Sequence, residues 1–109
     1  MSAAAEARLR ALVDRVATAA GIDPRKVPTR IHMGQGDWRI ACVTWPATSP
    51  FFCDTVGAYG ADAAVDEMAR RLADDAARSV AHEAKAAAEA ERKRAMWAAI
   101  GAAVAEVQP

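Results

Sequence analysis

The 109-residue chain contains no run of about 18 apolar residues, so no segment of it is expected to span a membrane. Its first residues, Met1-Ser2-Ala3-Ala4-Ala5-Glu6, lack a basic stretch followed by an apolar one, and no secretory leader is expected. Cysteine is scarce: Cys42 and Cys53 are the only two, and they do not form a C-x-x-C. Free thiols in a reducing cytoplasm are the expectation. An excess of either charge is missing too, with 14 basic and 14 acidic residues, which argues against a generic nucleic-acid binder. Large apolar side chains are few. Of 58 hydrophobic residues 30 are Ala, and only three of the other 28 are Leu. That suffices for one domain, with a compact head over about 2–80 and a helical extension over about 81–107. Arg outnumbers Lys 11 to 3. With the alanine excess this fits GC-rich coding, in a bacterium or in a phage or plasmid living in one.

What is present falls into three parts. Residues 2–20 read as a helix: Ser2 suits the cap, Glu6 the first turn, and Leu9, Leu12, Val13 and Val16 recur on one helical face. Gly21 fits a left-handed end, and Asp23-Pro24 opens a short helical turn that Pro28 closes. Residues 29–57 hold most of the aromatics and almost no Ala. Three strands are predicted there, Thr29–Met33, Trp38–Trp45 and Phe51–Val56, joined by turns at Gly34-Gln35-Gly36-Asp37 and Pro46-Ala47-Thr48-Ser49. Residues 61 to about 107 read as helix, with Asp62 as its cap. Val65, Met68, Leu72 and Ala76 make its apolar stripe. Asp66–Arg70, Glu67–Arg71 and Asp74–Arg78 are i,i+4 pairs on its solvated side. No Pro or Gly interrupts residues 61–100. Some 40 helical residues reach about 60 Å, so such a helix either overhangs its sheet or bends near Ser79–Glu83. The expected class is α+β in α-β-β-β-α order, with an antiparallel meander and a long C-terminal helix, continuous or broken once.

The turns imply a register in which Met33 faces Trp38, Ile31 faces Ile40, Val43 faces Phe52 and Cys42 faces Cys53. Alternation then puts Ile31, Met33, Trp38, Ile40, Cys42, Phe51 and Cys53 on the core face. Arg30, His32, Arg39, Ala41, Val43, Trp45, Phe52 and Asp54 fall on the other. A one-residue slip in either turn exchanges the two sets. The second set mixes aromatics with basic groups. That suits a protein-binding surface or a platform for single-stranded nucleic acid. It also suits a face that a helix simply covers.

Catalytic and metal motifs are absent from the spacing. His82-Glu83 lacks the second His of the zinc-protease motif, since Ala86 stands there. Gly34-x-Gly36 leads into a strand, unlike a dinucleotide loop. Two Cys and two His on different faces do not make a four-ligand site. No catalytic residue, cofactor or metal is therefore expected. Arg92, Lys93 and Arg94 form the densest basic run. Glu89 is placed to pair with Lys93, while Arg92 and Arg94 lack an acid four residues earlier, so they are candidates for a nucleic acid or an acidic partner. Trp97, Ile100, Val104 and Val107 follow a 3-4-3 spacing, with Met96 beside them, after a stretch (81–95) with no large apolar residue. They either return to the core or form a partner-binding or dimerising tip.

The order helix, three antiparallel strands, helix resembles the double-stranded-RNA-binding domain over about residues 2–77, and Gly57-Ala58-Tyr59-Gly60 is similar to that family's entry into its last helix. The family's lysine cluster at that helix start is replaced by Ala61-Asp62-Ala63-Ala64, so RNA binding does not carry over. In size and apparent origin the chain is also similar to phage accessory proteins that inhibit host complexes. The expectation is a small cytoplasmic, non-enzymatic protein-interaction module, of the kind that inhibits a larger host complex by steric occlusion. It would dock through Trp97, Ile100 and Val104, then Trp45, Phe52 and Arg39, and could form a homodimer through the C-terminal helix. The alternative is a nucleic-acid accessory protein using the open sheet face or residues 92–94.

Overall fold

The computed structural model describes residues 3–51 and 55–107. The order is α1 (Ala3–Ala19), a 3-10 turn (Pro24–Lys26), β1 (Thr29–Met33), β2 (Trp38–Val43), β3 (Thr55–Tyr59) and α2 (Ala61–Val107). The strands form one antiparallel sheet in the order β1-β2-β3. The α-β-β-β-α arrangement expected from the sequence is the one found. By internal contacts the chain divides into two compact units, Met1–Asp75 and Ala76–Pro109.

In the first unit, α1 presents a ridge at i,i+4 spacing: Ala5, Leu9, Val13 and Ala17 are buried. The start of α2 adds Ala64, Val65, Met68 and Leu72, whereas Ala76, expected in that stripe, is exposed. Both helices pack on one face of the sheet, where Ile31, Ala41, Val43 and Val56 complete the core with Val27. Small residues on the ridges let two helices share so narrow a sheet. The helices are also clamped at their surface. Arg8 donates to Asp62 (Nη1, 2.7 Å) and to Asp66 (Nη2, 2.7 Å), which raises the guanidinium pKa above its usual value.

Local chemistry ends α1 as expected. Gly21 takes φ +76°, Ile22 N–H donates to the Ala17 carbonyl (2.8 Å) and Gly21 N–H to that of Thr18 (3.1 Å), a Schellman cap. Asp23 then caps the 3-10 turn by accepting from Arg25 N–H (3.0 Å). Arg25 also reaches this carboxylate by its side chain, and together these bonds hold it below the ordinary Asp range. Arg10 fastens the connector to α1, donating to the carbonyls of Val27 (2.7 Å) and Pro24 (3.1 Å). The proposed Ser2 cap lies outside the described residues.

Several expectations need correction. Asp62 does not cap α2. The helix opens on Gly60 (φ +98°), whose carbonyl accepts from Ala64 N–H (3.1 Å), and Asp62 is committed to Arg8. Asp66 likewise meets Arg8, while Arg70 pairs with Glu67 and with Asp74 (3.2 Å). The Arg70 side chain thereby lowers the Glu67 pKa. Among the described residues the third strand is Thr55–Tyr59, which runs past the predicted end at Val56 and leaves Phe51 outside it, and β2 ends at Val43 rather than Trp45. Pro46-Ala47-Thr48-Ser49 is a turn, closed by Ser49 N–H to the Pro46 carbonyl (2.9 Å), but pairing with β2 begins only beyond it.

Register is the main difference. Met33 pairs with Arg39 and Ile31 with Ala41, one residue away from the expected pairing. The Gly34 N–H donates to the Trp38 carbonyl (2.8 Å), leaving Gln35-Gly36-Asp37 as a three-residue loop with Gly36 at φ +59°. Glycine at that left-handed position permits the tighter turn. Cys42 pairs with Thr55, not Cys53. Cys53 itself lies outside the described residues, and Cys42 is a free thiol.

Candidate functional site

The one-residue slip exchanges the faces of β2 relative to β1. Ala41 and Val43, expected on the open face, are core, and Trp38, Ile40 and Cys42, expected in the core, share the uncovered face with Arg30, His32, Thr55, Gly57 and Tyr59. Small Ala41 and β-branched Val43 fit beneath two helices, where an indole would not.

Two expected contact residues move with this exchange. Trp45 is half-buried against the core beside Phe51, ring centroids 4.7 Å apart, so it is a packing residue rather than an open-face anchor. Its buried indole N–H has no hydrogen-bond partner among the described residues. Arg39 lies on the helix side of the sheet and folds over the turn, donating to the carbonyls of Gly36 and Trp38 (2.9 Å each). Phe52 lies outside the described residues.

On the uncovered face the organising residue is Trp38. A Cβ on Gly57 would come within 2.3 Å of its Cζ2 and 2.8 Å of its Cε2, and one on Gly34 within 2.7 Å of its Cδ1. Neither glycine has a positive φ. Both are therefore explained by the indole they admit rather than by backbone conformation. Tyr59, the cross-strand partner of Trp38, meets it edge to face at 4.8 Å and remains 76 % exposed. Behind this pair lie Ile40 and Cys42, half-buried, with Arg30 and His32 exposed on β1. No carboxylate occurs among the described residues of this face. Sequence reasoning missed Trp38 and Tyr59 as a site. The signal was the pair Gly34 and Gly57, which alternation alone leaves without meaning.

In the second unit, α2 leaves Met96, Trp97, Ile100, Val104 and Val107 between 43 and 84 % exposed. Ile100, Ala103, Val104 and Val107 line an open groove there. The basic run is also exposed, but Arg94 is not free of acids as expected: it pairs with Glu91 three residues earlier. No group of three or more His, Cys, Asp or Glu that could hold a metal occurs among the described residues. Among the described residues no helix is long and apolar enough to cross a membrane.

No family model, curated protein or solved structure matches the chain. The likeness to the double-stranded-RNA-binding domain thus rests on element order. At the start of α2, where that family is basic, Asp62 and Asp66 are occupied by Arg8.

Proposed function

We propose that the chain is a non-enzymatic protein-interaction module that presents the uncovered face of its sheet to a larger protein and acts by occluding that protein's surface. The observation that carries this reading is the Trp38–Tyr59 pair, seated by two glycines on the face opposite the core that α1 and the start of α2 build. Rigid aromatics flanked by Arg are the composition of interface hot spots, where a few side chains supply most of the affinity. Trp38 is half-buried and packed closely on Gly34, Gly57 and Tyr59, and that confinement reduces the side-chain freedom lost on docking.

The test separates binding from folding. Tyr59→Ala removes a largely exposed ring together with its edge contact on Trp38 and is expected to cost about 0.5–1.5 kcal/mol, too little to unfold the sheet. Loss of a hot-spot tyrosine lowers affinity for a partner by about tenfold or more. If Tyr59→Ala and His32→Ala both leave affinity for a captured partner unchanged, the sheet face is not the site.

A second reading, single-stranded nucleic acid on the same face, is favoured by one observation: Arg30 and His32 stand there with no described carboxylate among them. Base stacking on Trp38 and Tyr59 would then supply the contact. Salt distinguishes the two, because phosphate binding weakens steeply as salt rises and an aromatic protein interface does not.

A further inference from the structure

The second unit carries a surface that the sheet reading does not use. On α2, Trp97, Ile100, Val104 and Val107 occupy successive a and d positions of a heptad and are all exposed. We propose that this stripe is the interface with a second copy of the same chain, the two helices running antiparallel.

Three features point to a second copy in that orientation. The first is the seam itself. Continuing the heptad one step toward the N-terminus puts Lys93 at a d position and Ala90 at an a position. A parallel pair sets Lys93 against Lys93 of the other copy in the seam and the two negative C-terminal helix ends side by side, both like-charge contacts. An antiparallel pair avoids them. Trp97 of each copy then packs over Val107 of the other and Ile100 over Val104, a large residue against a smaller one in every layer.

The second is the end of the helix. The last turn of α2 has no basic residue and contains Glu106, so the negative end of the helix dipole has no cation of its own. Antiparallel pairing sets Lys93 and Arg94 of one copy within about one turn of the other's C-terminal end. The charge complementarity is thus supplied by the same chain.

The third is Gly101, the only glycine in the 47 residues of α2. Nothing lies within 4 Å of where its Cβ would be. A helical glycine costs about 1 kcal/mol relative to alanine, and this helix is otherwise rich in alanine. Next to Trp97 and Val104, it leaves room beside the two-fold axis for a second helix to approach.

The large side chains of the stripe offer roughly 500 Å² per copy, or roughly 1,000 Å² for a symmetric pair, at the lower limit of a specific interface. Association is therefore expected in the micromolar range. Sedimentation equilibrium of the full chain from about 1 to 500 μM, the span such an interface calls for, is expected to show the mass rising from 11.5 kDa toward twice that value. Trp97→Ala is expected to weaken association about tenfold or more while leaving the far-ultraviolet helix signal unchanged. Tyr59→Ala, on the sheet, leaves it as it was. Orientation is read with a spin label at Ala90→Cys in a Cys42→Ser, Cys53→Ser background. An antiparallel pair separates the two labels by about 36 Å along the axis, a parallel pair by about 10 Å across it. A constant monomer mass, association indifferent to Trp97→Ala, or the short distance overturns the proposal and leaves the sheet reading untouched.

Discussion

Leu9→Ala is expected to destabilise the chain by about 2–5 kcal/mol. Leu9 is fully buried at the centre of the α1 ridge, within the cluster that joins both helices to the sheet. Its removal takes away transfer free energy and leaves a cavity that the rigid sheet below cannot close. The cost weighs heavily because the core is thin. Among the described residues thirteen buried hydrophobic ones make it, four of them alanines. A unit of some 75 residues at ordinary stability per residue holds roughly 4–11 kcal/mol, so one substitution can remove half of it. Urea unfolding followed by circular dichroism measures the loss. Val80→Ala, on an exposed side chain of α2, is the control and is expected to stay within about 0.5 kcal/mol. Equal effects of the two would mean that α1 is not held by this core.

Gly57→Ala is the second, and its sign is the diagnostic. Within a strand, exchange of glycine for alanine ordinarily stabilises, because glycine leaves the unfolded chain more freedom to lose. Here the added methyl would stand 2.3 Å from Trp38 Cζ2. The indole must leave its seat or β3 must move from β2, which costs about 1–3 kcal/mol. The expected result is a destabilised sheet together with a shifted Trp38 indole resonance in the proton–nitrogen NMR spectrum. If binding to a partner is retained while that resonance moves, Trp38 is structural and Tyr59 alone carries the contact. A stabilised variant with Trp38 in place would mean that the indole does not rest on Gly57.

The sequence conveys the element order and both helices, because these depend on local signals. The i,i+4 apolar ridge, Gly21 after the last turn, Asp23 before Pro24, and the absence of Pro or Gly over residues 61–100 each act within a few residues. Strand faces depend on a count through a turn, and there a single residue decides everything. Four candidate turn residues, Gly34 to Asp37, are equally visible in the sequence. Only the structure shows that Gly34 pairs with Trp38 and leaves a three-residue loop. That slip carries Trp45 and Arg39 away from the open face and brings Trp38 onto it. The Asp66–Arg70 expectation fails for a related reason. Spacing along α2 proposes Asp66–Arg70, but Arg8, 58 positions away in sequence, takes the carboxylate once α1 packs alongside. The stripe at Trp97 was visible as a pattern from the start, since it needs only heptad spacing.

The extent of burial along α2 has a calorimetric consequence. Among residues 76–107 of this 47-residue helix no described side chain is buried. The heat-capacity rise on unfolding follows newly wetted apolar surface, about 12–15 cal/mol/K per residue in an ordinary globular chain. In the dissociated chain almost all of it therefore belongs to the first 75 residues. The melting of residues 76–107 contributes helix-coil enthalpy with little heat-capacity change. Helix content and global unfolding are thus two separate quantities in this protein, and ellipticity lost on warming is not a measure of the head coming apart.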